Sequence, residues 1–341
     1  MTKQTAKHIA VATALLGLVT ASLAGAQVRA IKRLTGKRAG SSASQAPIRA
    51  LITPGAPSYT FTLLNYPGQL VTEATCINKG ATTSKTAIVG GYGSNDDFTQ
   101  AGFLAKLSGA KTVTETYYSV SYPHEPMQQD ATCINDLGQI VGTYLDSSGF
   151  NNGYGWFGGK FTPLEVPFAG ATGTLPFGIN NSGEVVGAWF DSDGNAHGFT
   201  LIGSTYTSFD YPGGTQTEFG DVNSAGDIVG TCYDASGVGI GFLLSGGTFT
   251  PIEYSGAVET LVEGINDSGV IVGNYCTTSE CEADLAGVQN FLWSGGVYTP
   301  ISILPGEVSA IAYDINNNGV LVGDYQDGAG VVGSFLATPR T

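Results

Sequence analysis

A short acidic segment near the middle of the chain contains the residue types of a cation site. It reads Asp191-Ser192-Asp193-Gly194-Asn195. Hard cations such as Ca²⁺ take several oxygen ligands, and alternating Asp and Asn side chains can supply them. The same residue types are common in tight turns that hold no ion. Asp191, Asp193 and Asn195 are therefore candidate metal ligands, and a turn without any cofactor is the alternative.

The five cysteines are candidates for disulfide chemistry. Cys276 and Cys281 bracket four residues and could close a small loop. Cys76 and Cys133 occupy equivalent places in two copies of a repeated motif, and they could be bridged if their Cα atoms lie within about 7 Å. Cys232 is then left over. The chain has neither a Cys-x-x-Cys spacing nor paired histidines, so zinc is not expected.

Sequence motifs for catalysis are missing. The chain contains no G-x-S-x-G, no Walker A and no glycine-rich turn leading into a helix. A glycosidase needs two carboxyl groups about 5–10 Å apart, and the many acids single out no such pair. No catalytic residue is assigned.

A repeated motif indicates which elements position these residues. The segment "GINNSGEVVGAW" from Gly178 has counterparts throughout the chain. Its asparagine falls at Asn78, Asn135, Asn180, Asn223, Asn266 and Asn316. Asn bonds to its local backbone and Gly accepts positive φ, so the motif predicts a hairpin turn in each copy.

Each copy has the pattern of four short strands separated by turn residues. Four strands at this period are typical of a propeller blade. Residues 59–68 have the pattern of a fourth strand, whereas the last copy ends after its third. We therefore predict an all-β fold, one six-bladed propeller over residues 55–341, in which an N-terminal strand completes the last blade. Closure of the ring removes exposed sheet edges.

Function in such a ring is expected where the copies differ, which is mostly in loops. Aspartates at 146, 191, 234 and 327 follow the second strand of four copies and predict an acidic rim. Two segments at this rim are longer than their counterparts. They supply the candidate ligand-binding residues, which are Tyr122, His124, Glu125, Glu280, Glu282 and Asp284. Aromatic residues after the second strands are expected to pack in the core.

The repeat resembles the HAF-type extracellular repeat family. The match to its signature is closest at His197-Gly198-Phe199, and the resemblance extends over all six copies. The histidine is replaced in the other copies, so it is not a repeated functional group. The resemblance implies export and a repeat architecture, and it supplies no catalytic residues.

The N-terminal region has the pattern of an export signal. Lys3 and Lys7 precede the apolar run 11–24, and an A-x-A site ends at Ala26. This pattern predicts a secretory signal peptide over 1–26, with the mature protein secreted or held at the cell surface. Residues 27–54 are expected to be a basic disordered linker.

Charge is distributed unevenly along the chain. Residues 27–50 contain six basic residues and no acid, whereas residues from 51 onward contain six basic residues and all 28 acids, a formal charge of about −22. Phosphate contacts need Lys and Arg, so nucleic acid is not an expected partner. No later segment is long and apolar enough to predict a membrane span.

Together these features predict a secreted, monomeric, non-catalytic propeller that binds a ligand at its acidic rim. The ligand could be a glycan, a peptide or another envelope component. Two alternatives remain: a glycosidase or polysaccharide lyase on a propeller scaffold, and a structural surface repeat.

Overall fold

A computed structural model describes residues 57–80, 86–93, 100–108, 114–123, 128–278, 287–304, 309–327 and 332–340. All the regular elements in these residues are β-strands. The strands are β1 Tyr59–Leu64, β2 Val71–Ile77, β3 Ala87–Gly93, β4 Gln100–Ser108, β5 Thr114–Val120, β6 Gln129–Ile134, β7 Ile140–Leu145, β8 Asn151–Phe157, β9 Lys160–Leu164, β10 Gly173–Ile179, β11 Val185–Phe190, β12 Ala196–Ile202, β13 Thr205–Phe209, β14 Gln216–Val222, β15 Ile228–Tyr233, β16 Gly239–Ser245, β17 Thr248–Ile252, β18 Glu259–Ile265, β19 Ile271–Cys276, β20 Gln289–Ser294, β21 Val297–Ile301, β22 Ser309–Ile315, β23 Leu321–Gln326 and β24 Val332–Pro339. No described helix is long and apolar enough to cross a membrane.

The strands fall into consecutive antiparallel units of four. Unit 1 is β2–β5, unit 2 is β6–β9, unit 3 is β10–β13, unit 4 is β14–β17 and unit 5 is β18–β21. Unit 6 combines the two ends of the described chain in the order β1-β24-β23-β22. Its strand β1 pairs with β24 along its whole length, from Tyr59 opposite Pro339 to Leu64 opposite Ser334.

Two of the units share hydrogen bonds, which the sequence does not predict. The sheets are four of four strands and one of eight, in which a parallel bridge between Ile240 and Thr260 joins units 4 and 5. The structure therefore has four separate four-stranded sheets instead of the six separate blades that the sequence predicts, because units 4 and 5 form one sheet. Next to this single bridge, two glycines of β16 lie close to side chains of β18. A Cβ at Gly241 would lie 2.3 Å from Val262 Cγ2, and one at Gly239 would lie 2.6 Å from Leu261 Cδ2, so only glycine lets β16 approach β18 this closely.

The repeated asparagine shapes the hairpin between the first two strands of each unit. Asn180 Oδ1 accepts hydrogen bonds from the backbone N–H groups of Ser182 and Glu184, both at 3.0 Å. Gly183 takes φ 82° and donates its N–H to the Asn180 carbonyl. The same two-bond pattern recurs at Asn135, Asn223, Asn266 and Asn316. The prediction of turn chemistry is confirmed at these positions.

The same asparagines also tie neighbouring hairpins together. Their Nδ2 groups donate to the backbone carbonyl of the next motif asparagine. These bonds run from Asn135 to Asn180, Asn180 to Asn223, Asn223 to Asn266 and Asn266 to Asn316, at 2.9–3.4 Å. Contacts from Asn317 N–H to the Lys79 carbonyl and from Asn78 Nδ2 to Asp136 complete the circuit. The six hairpins therefore form a closed ring of hydrogen bonds.

The core lies between neighbouring sheets. The third strand of every unit contributes one fully buried aromatic ring; these are Phe103, Tyr154, Phe199, Phe242, Phe291 and Phe335, each 0% exposed. A glycine precedes the ring in several units because the adjacent sheet leaves no room for a side chain: a Cβ at Gly198 would lie 2.8 Å from the Phe219 ring. The repeated Gly-Phe pair thus serves packing.

Candidate functional site

The two ends of the ring differ in charge. We call the end with the Asn hairpins the hairpin end, and the opposite end, where each fourth strand leads to the next unit, the connection end. Eight described acids lie in the loops of the connection end, namely Asp146, Glu165, Asp191, Asp193, Asp210, Asp234, Glu253 and Asp327. The four described Lys and Arg residues, Lys79, Lys106, Lys160 and Arg340, all lie at or near the hairpin end. The connection end therefore has a negative potential that nearby basic side chains do not cancel.

Aspartates of the connection end form the turns between second and third strands. Asp191 Oδ1 accepts backbone N–H bonds from Asp193 and Asn195, both at 2.9 Å. Asp146 and Asp234 accept the equivalent pairs of bonds in units 2 and 4. The acidic loops at these three positions are thus stabilised by their own backbone, as in the hairpins at the other end.

These hydrogen bonds keep the carboxylates charged. Partial desolvation raises the pKa of Asp191, but bonds from Asn195, His197 and Asp193 outweigh it and lower the pKa to about 2. In Asp146 the bonds from Phe150 and Ser148 likewise outweigh desolvation and lower the pKa. Asp191 and Asp146 therefore stay charged well below neutral pH.

The candidate metal ligands are brought together as a hydrogen-bonded turn. Asn195 Nδ2 donates to Asp191 Oδ2 at 2.9 Å, and the Asp193 side chain is exposed. The oxygens of Asp191 thus already face N–H donors. Calcium binding there stays a prediction. Among the described residues, the group with metal-ligand spacing is instead Cys76, Cys133 and Asp314, and its two sulfurs are bonded to each other.

His197 lies beside this turn and contacts two carboxylates. Its Nδ1 is 2.7 Å from Asp210 Oδ1 and its Nε2 is 3.3 Å from Asp191 Oδ2. Its ring stacks on Trp189 with centroids 4.5 Å apart. In unit 2 the equivalent residue, Asn152, donates Nδ2 to Asp146 at 3.1 Å. His197 therefore occupies a position where a side-chain donor fastens the acidic turn to the third strand.

Tyr122 is the one candidate ligand-binding residue that the structure describes. It stacks on Tyr144 with centroids 4.4 Å apart and planes 6° from parallel, and it is half-buried. Its backbone is fixed by Gln129, whose Nε2 donates to the Tyr122 carbonyl at 3.1 Å. The other candidates, His124, Glu125, Glu280, Glu282 and Asp284, lie outside the described residues, as does Cys281.

Aromatic residues of the connections stack on second-strand aromatics in other units as well. Tyr66 lies 3.7 Å from Tyr92, and Tyr254 lies 3.7 Å from Tyr275, in near-parallel pairs. The second-strand rings Tyr144, Trp189 and Tyr275 are at most 8% exposed, so the expectation of core packing is confirmed for these three. The covering rings Tyr66, Tyr122 and Tyr254 are half-buried.

A buried ion-pair cluster links units 1, 4 and 6 at the hairpin end, and the sequence pattern did not predict it. Lys79 is 3% exposed, and its Nζ lies 2.7 Å from Asp221 and 2.5 Å from Asp314. Burial lowers the pKa of Lys79, but the two carboxylates outweigh it and raise the pKa overall. Burial and the charge of Asp221 raise the pKa of Asp314 to about 7, although Lys79 opposes the shift. Their positions in the repeat could have predicted the cluster. Both aspartates stand two residues before a motif asparagine, and Lys79 directly follows one.

The disulfide occupies the same inner layer. Cys76 and Cys133 also stand two residues before motif asparagines and are bonded, with Cα atoms 4.9 Å apart. This is the bridge that their equivalent places predict, and it links units 1 and 2. Cys232 is a buried free thiol whose pKa burial raises to about 11, so it is a poor nucleophile.

Three acids on first and second strands have raised pKa values. Burial raises the pKa of Glu263 to about 7, with Glu259 adding to the shift and the bond from Asn274 opposing it. Burial and the charge of Glu73 raise the pKa values of Asp130 and Asp324 well above the ordinary range. Nothing in the sequence pattern distinguishes these acids from exposed ones.

Comparison with known proteins identifies the fold. No family model matches the chain, and no curated protein matches it either. Among solved structures, TolB from Acinetobacter baumannii is 13% identical with a TM-score of 0.51, and the alignment covers 78% of this chain and 63% of TolB. This chain therefore spans less than two thirds of the TolB chain. The fold is an all-β propeller.

Two further solved structures match this chain with comparable sequence identities and TM-scores. A triple arginine-to-alanine mutant of AofleA from Arthrobotrys oligospora is 11% identical, with a TM-score of 0.50 and coverage of 85% of this chain and 90% of AofleA. A point mutant of Aleuria aurantia lectin in complex with α-methyl-L-fucoside is 11% identical, with a TM-score of 0.50 and coverage of 81% and 96%. At these identities the likeness establishes the propeller fold alone.

Proposed function

We propose that this protein is an exported, non-catalytic propeller whose connection end binds a ligand carrying several positive charges, such as a basic peptide segment of an envelope component. The observation that carries the proposal is the charge difference between the two ends of the ring. Eight described acids stand at the connection end, and the described Lys and Arg residues stand at the other. Complementary charge steers association and selects partners.

The hydrogen bonds of the turn aspartates support the proposal that the protein is non-catalytic. Asp146, Asp191 and Asp234 each accept backbone hydrogen bonds within their own loop. Acids held in this way supply a fixed negative potential. A general acid at neutral pH would instead need a raised pKa.

We further propose that the fold is a six-bladed propeller. The eight-stranded sheet then corresponds to two blades, units 4 and 5, and β1 is the fourth strand of the sixth blade. The support is the circuit of hairpin contacts, which passes once through each of the six units. A glycan remains the second ligand class to test because one propeller of similar fold is described in complex with a fucoside.

The test measures binding of a fluorescent oligolysine peptide to the full-length chain. The connection-end variant combines Glu165→Gln, Asp193→Asn, Asp210→Asn and Glu253→Gln, which are exposed acids. The matched control removes four charges at the hairpin end with Asp136→Asn, Glu184→Gln, Asp227→Asn and Asp267→Asn. We expect the first variant to weaken binding about tenfold and the control to change it less than about twofold.

Two results would overturn the proposal. Equal loss in both variants would mean that net charge alone drives binding. Absence of peptide binding together with tight, salt-independent binding of a neutral glycan on an array would replace the basic ligand with a sugar. Melting temperatures of all the variants establish that the fold is retained.

A further inference from the structure

We propose that the basic segment 27–50 of this chain docks in cis on the acidic connection end of its own propeller. The segment contains Arg29, Lys32, Arg33, Lys37, Arg38 and Arg49 and no acid, and the body to which it is tethered is strongly negative. This proposal uses the same face as the proposed function but needs no external ligand, so the two can fail separately.

The place where the described chain begins allows the segment to reach that end. β1 is the outer strand of unit 6 and begins at the hairpin end, where Arg340 N–H donates to the Ser58 carbonyl at 2.8 Å. The six residues of β1 span about 20 Å between the two ends. Residues 51–56, which precede the described chain, can extend to about 20 Å at roughly 3.3–3.6 Å per residue. Residues 27–50 can therefore run past the rim and lie over the connection end.

The distribution of charge favours docking of the segment at the connection end, although the hairpin end is nearer to the start of β1. The exposed basic side chains of Lys106, Lys160 and Arg340 lie at or near the hairpin end and would repel the segment. At the connection end Glu165, Asp193 and Glu253 are exposed, and no described Lys or Arg is near them.

Tethering favours the chain's own segment over a second copy. A flexible tether of this kind holds a ligand at an effective concentration of about 1 mM or more, far above the protein concentrations of ordinary assays. The docked segment would compete with the basic ligand of the proposed function and raise the concentration of ligand needed for binding.

Zero-length carbodiimide cross-linking of the full-length chain tests the contact. At low salt we expect Lys32 and Lys37 to couple to Glu165, Asp193, Asp210 or Glu253, as mapped by mass spectrometry. At about 1 M salt the Debye length falls to about 3 Å, and these products should decrease strongly. Trypsin should cut the segment about fivefold more slowly at low salt than at high salt, because a docked segment is less accessible.

The four-residue variants described above serve as matched controls. The connection-end variant should abolish the protection from trypsin, and the hairpin-end variant should keep it. Equal protection in both variants, or cross-links confined to Asp136, Glu184, Asp227 and Asp267, would overturn the proposal. Protection that rises with protein concentration would show that the segment docks on a second copy, which also overturns docking in cis.

A variant with all six basic residues of the segment changed to glutamine separates this inference from the proposed function. If docking is real, this variant binds the oligolysine peptide more tightly than the native chain. If neither chain binds the peptide but the native cross-links form, docking stands and the external ligand is wrong. If the peptide binds both chains equally and no cross-links form, docking is wrong and the proposed function stands.

Discussion

Lys79 is a single buried cation that joins three units at the inner layer of the ring. It extends from unit 1 to Asp221 of unit 4 and Asp314 of unit 6. Backbone N–H groups of Ile77 and Ile265 donate to the same two carboxylates at 2.9 Å. The cluster is thus organised around carboxylates that need a positive partner, because an isolated buried charge is costly.

Replacing Lys79 should be strongly destabilising. Lys79→Met leaves two buried carboxylates without their cation, and we expect a loss of about 3–5 kcal/mol in the free energy of unfolding. Urea denaturation followed by tryptophan fluorescence measures it. A triple variant that adds Asp221→Asn and Asp314→Asn should recover a large part of the loss, since the unpaired charges are removed. A loss below about 1 kcal/mol in the single variant would contradict the assigned role.

Because several acids have raised pKa values in the folded state, we expect the stability of this protein to fall as the pH rises. Glu263 has a folded pKa of about 7 against an ordinary value of 4.5. A carboxyl with a raised folded pKa binds its proton more tightly in the folded state. Its contribution is therefore complete below about pH 4.5 and is lost as the pH rises through 7. Asp314, Asp130 and Asp324 shift in the same direction.

Glu263→Gln should remove part of this dependence. Glutamine keeps an acceptor oxygen for Asn274 Nδ2, which contacts Glu263 Oε1 at 2.7 Å. We expect the variant to be about 1–3 kcal/mol more stable than the native chain at pH 8, with the difference shrinking toward pH 5. Melting curves between pH 5 and 8 check this. The exposed Glu253→Gln is the control and should leave the slope unchanged. A native chain that loses stability steadily from pH 8 to pH 5 would refute the sign.

At the scale of elements, the Asn hairpins and the close contact of β16 with β18 determine how the sheets meet. Each hairpin is stabilised within its own chain segment and also bonded to the next one. One parallel bridge joins β16 to β18, and the missing side chains of Gly239 and Gly241 leave room for that close contact. The Asn motif therefore recurs in each unit, whereas the bridge between β16 and β18 is specific to units 4 and 5.

Gly241→Ala should destabilise the junction of units 4 and 5. The new Cβ would lie 2.3 Å from Val262 Cγ2, so strands or side chains must shift, at a cost of about 1–3 kcal/mol. Chemical denaturation gives the value. Adding Val262→Ala removes the clashing methyl group and should restore part of the loss relative to Val262→Ala alone. If Gly241→Ala has no effect, close approach is not what joins the two sheets.

At the scale of the whole molecule, both ends of the described chain meet in unit 6, and charge separates the two faces of the ring. β1 covers the edge of β24, next to the buried residues Phe335 and Leu336. An uncovered edge strand is a template for pairing with another chain. β1 is the edge strand of unit 6, and it covers the edge that β24 would otherwise expose.

Removing β1 should make the protein associate. A chain that begins at residue 65 exposes the edge of β24, and we expect soluble oligomers and a broad unfolding transition. A chain that begins at residue 51 keeps β1 and should behave as the native protein does. Size-exclusion chromatography with light scattering distinguishes them. If both truncated chains elute and melt alike, β1 is dispensable for closure.

Sequence alone determined the features that are repeated along the chain. The Asn-x-x-Gly turn appears in units 2 to 6, because its hydrogen bonds are local and any copy of the motif can form them. The all-β class, the four-strand units and the Cys76–Cys133 bridge also followed, since equivalent places in neighbouring repeats are brought close together.

Only the tertiary structure decided what depends on contacts between distant units. The Lys79 cluster joins residues more than 140 positions apart in the sequence, and the raised pKa of Glu263 depends on burial that strand pattern does not encode. The merging of units 4 and 5 likewise depends on how close two strands come. The acidic loop at Asp191 was a possible cation site by residue type; its fold directs the oxygens of Asp191 to N–H donors of its own loop, because a turn can satisfy a carboxylate without an ion.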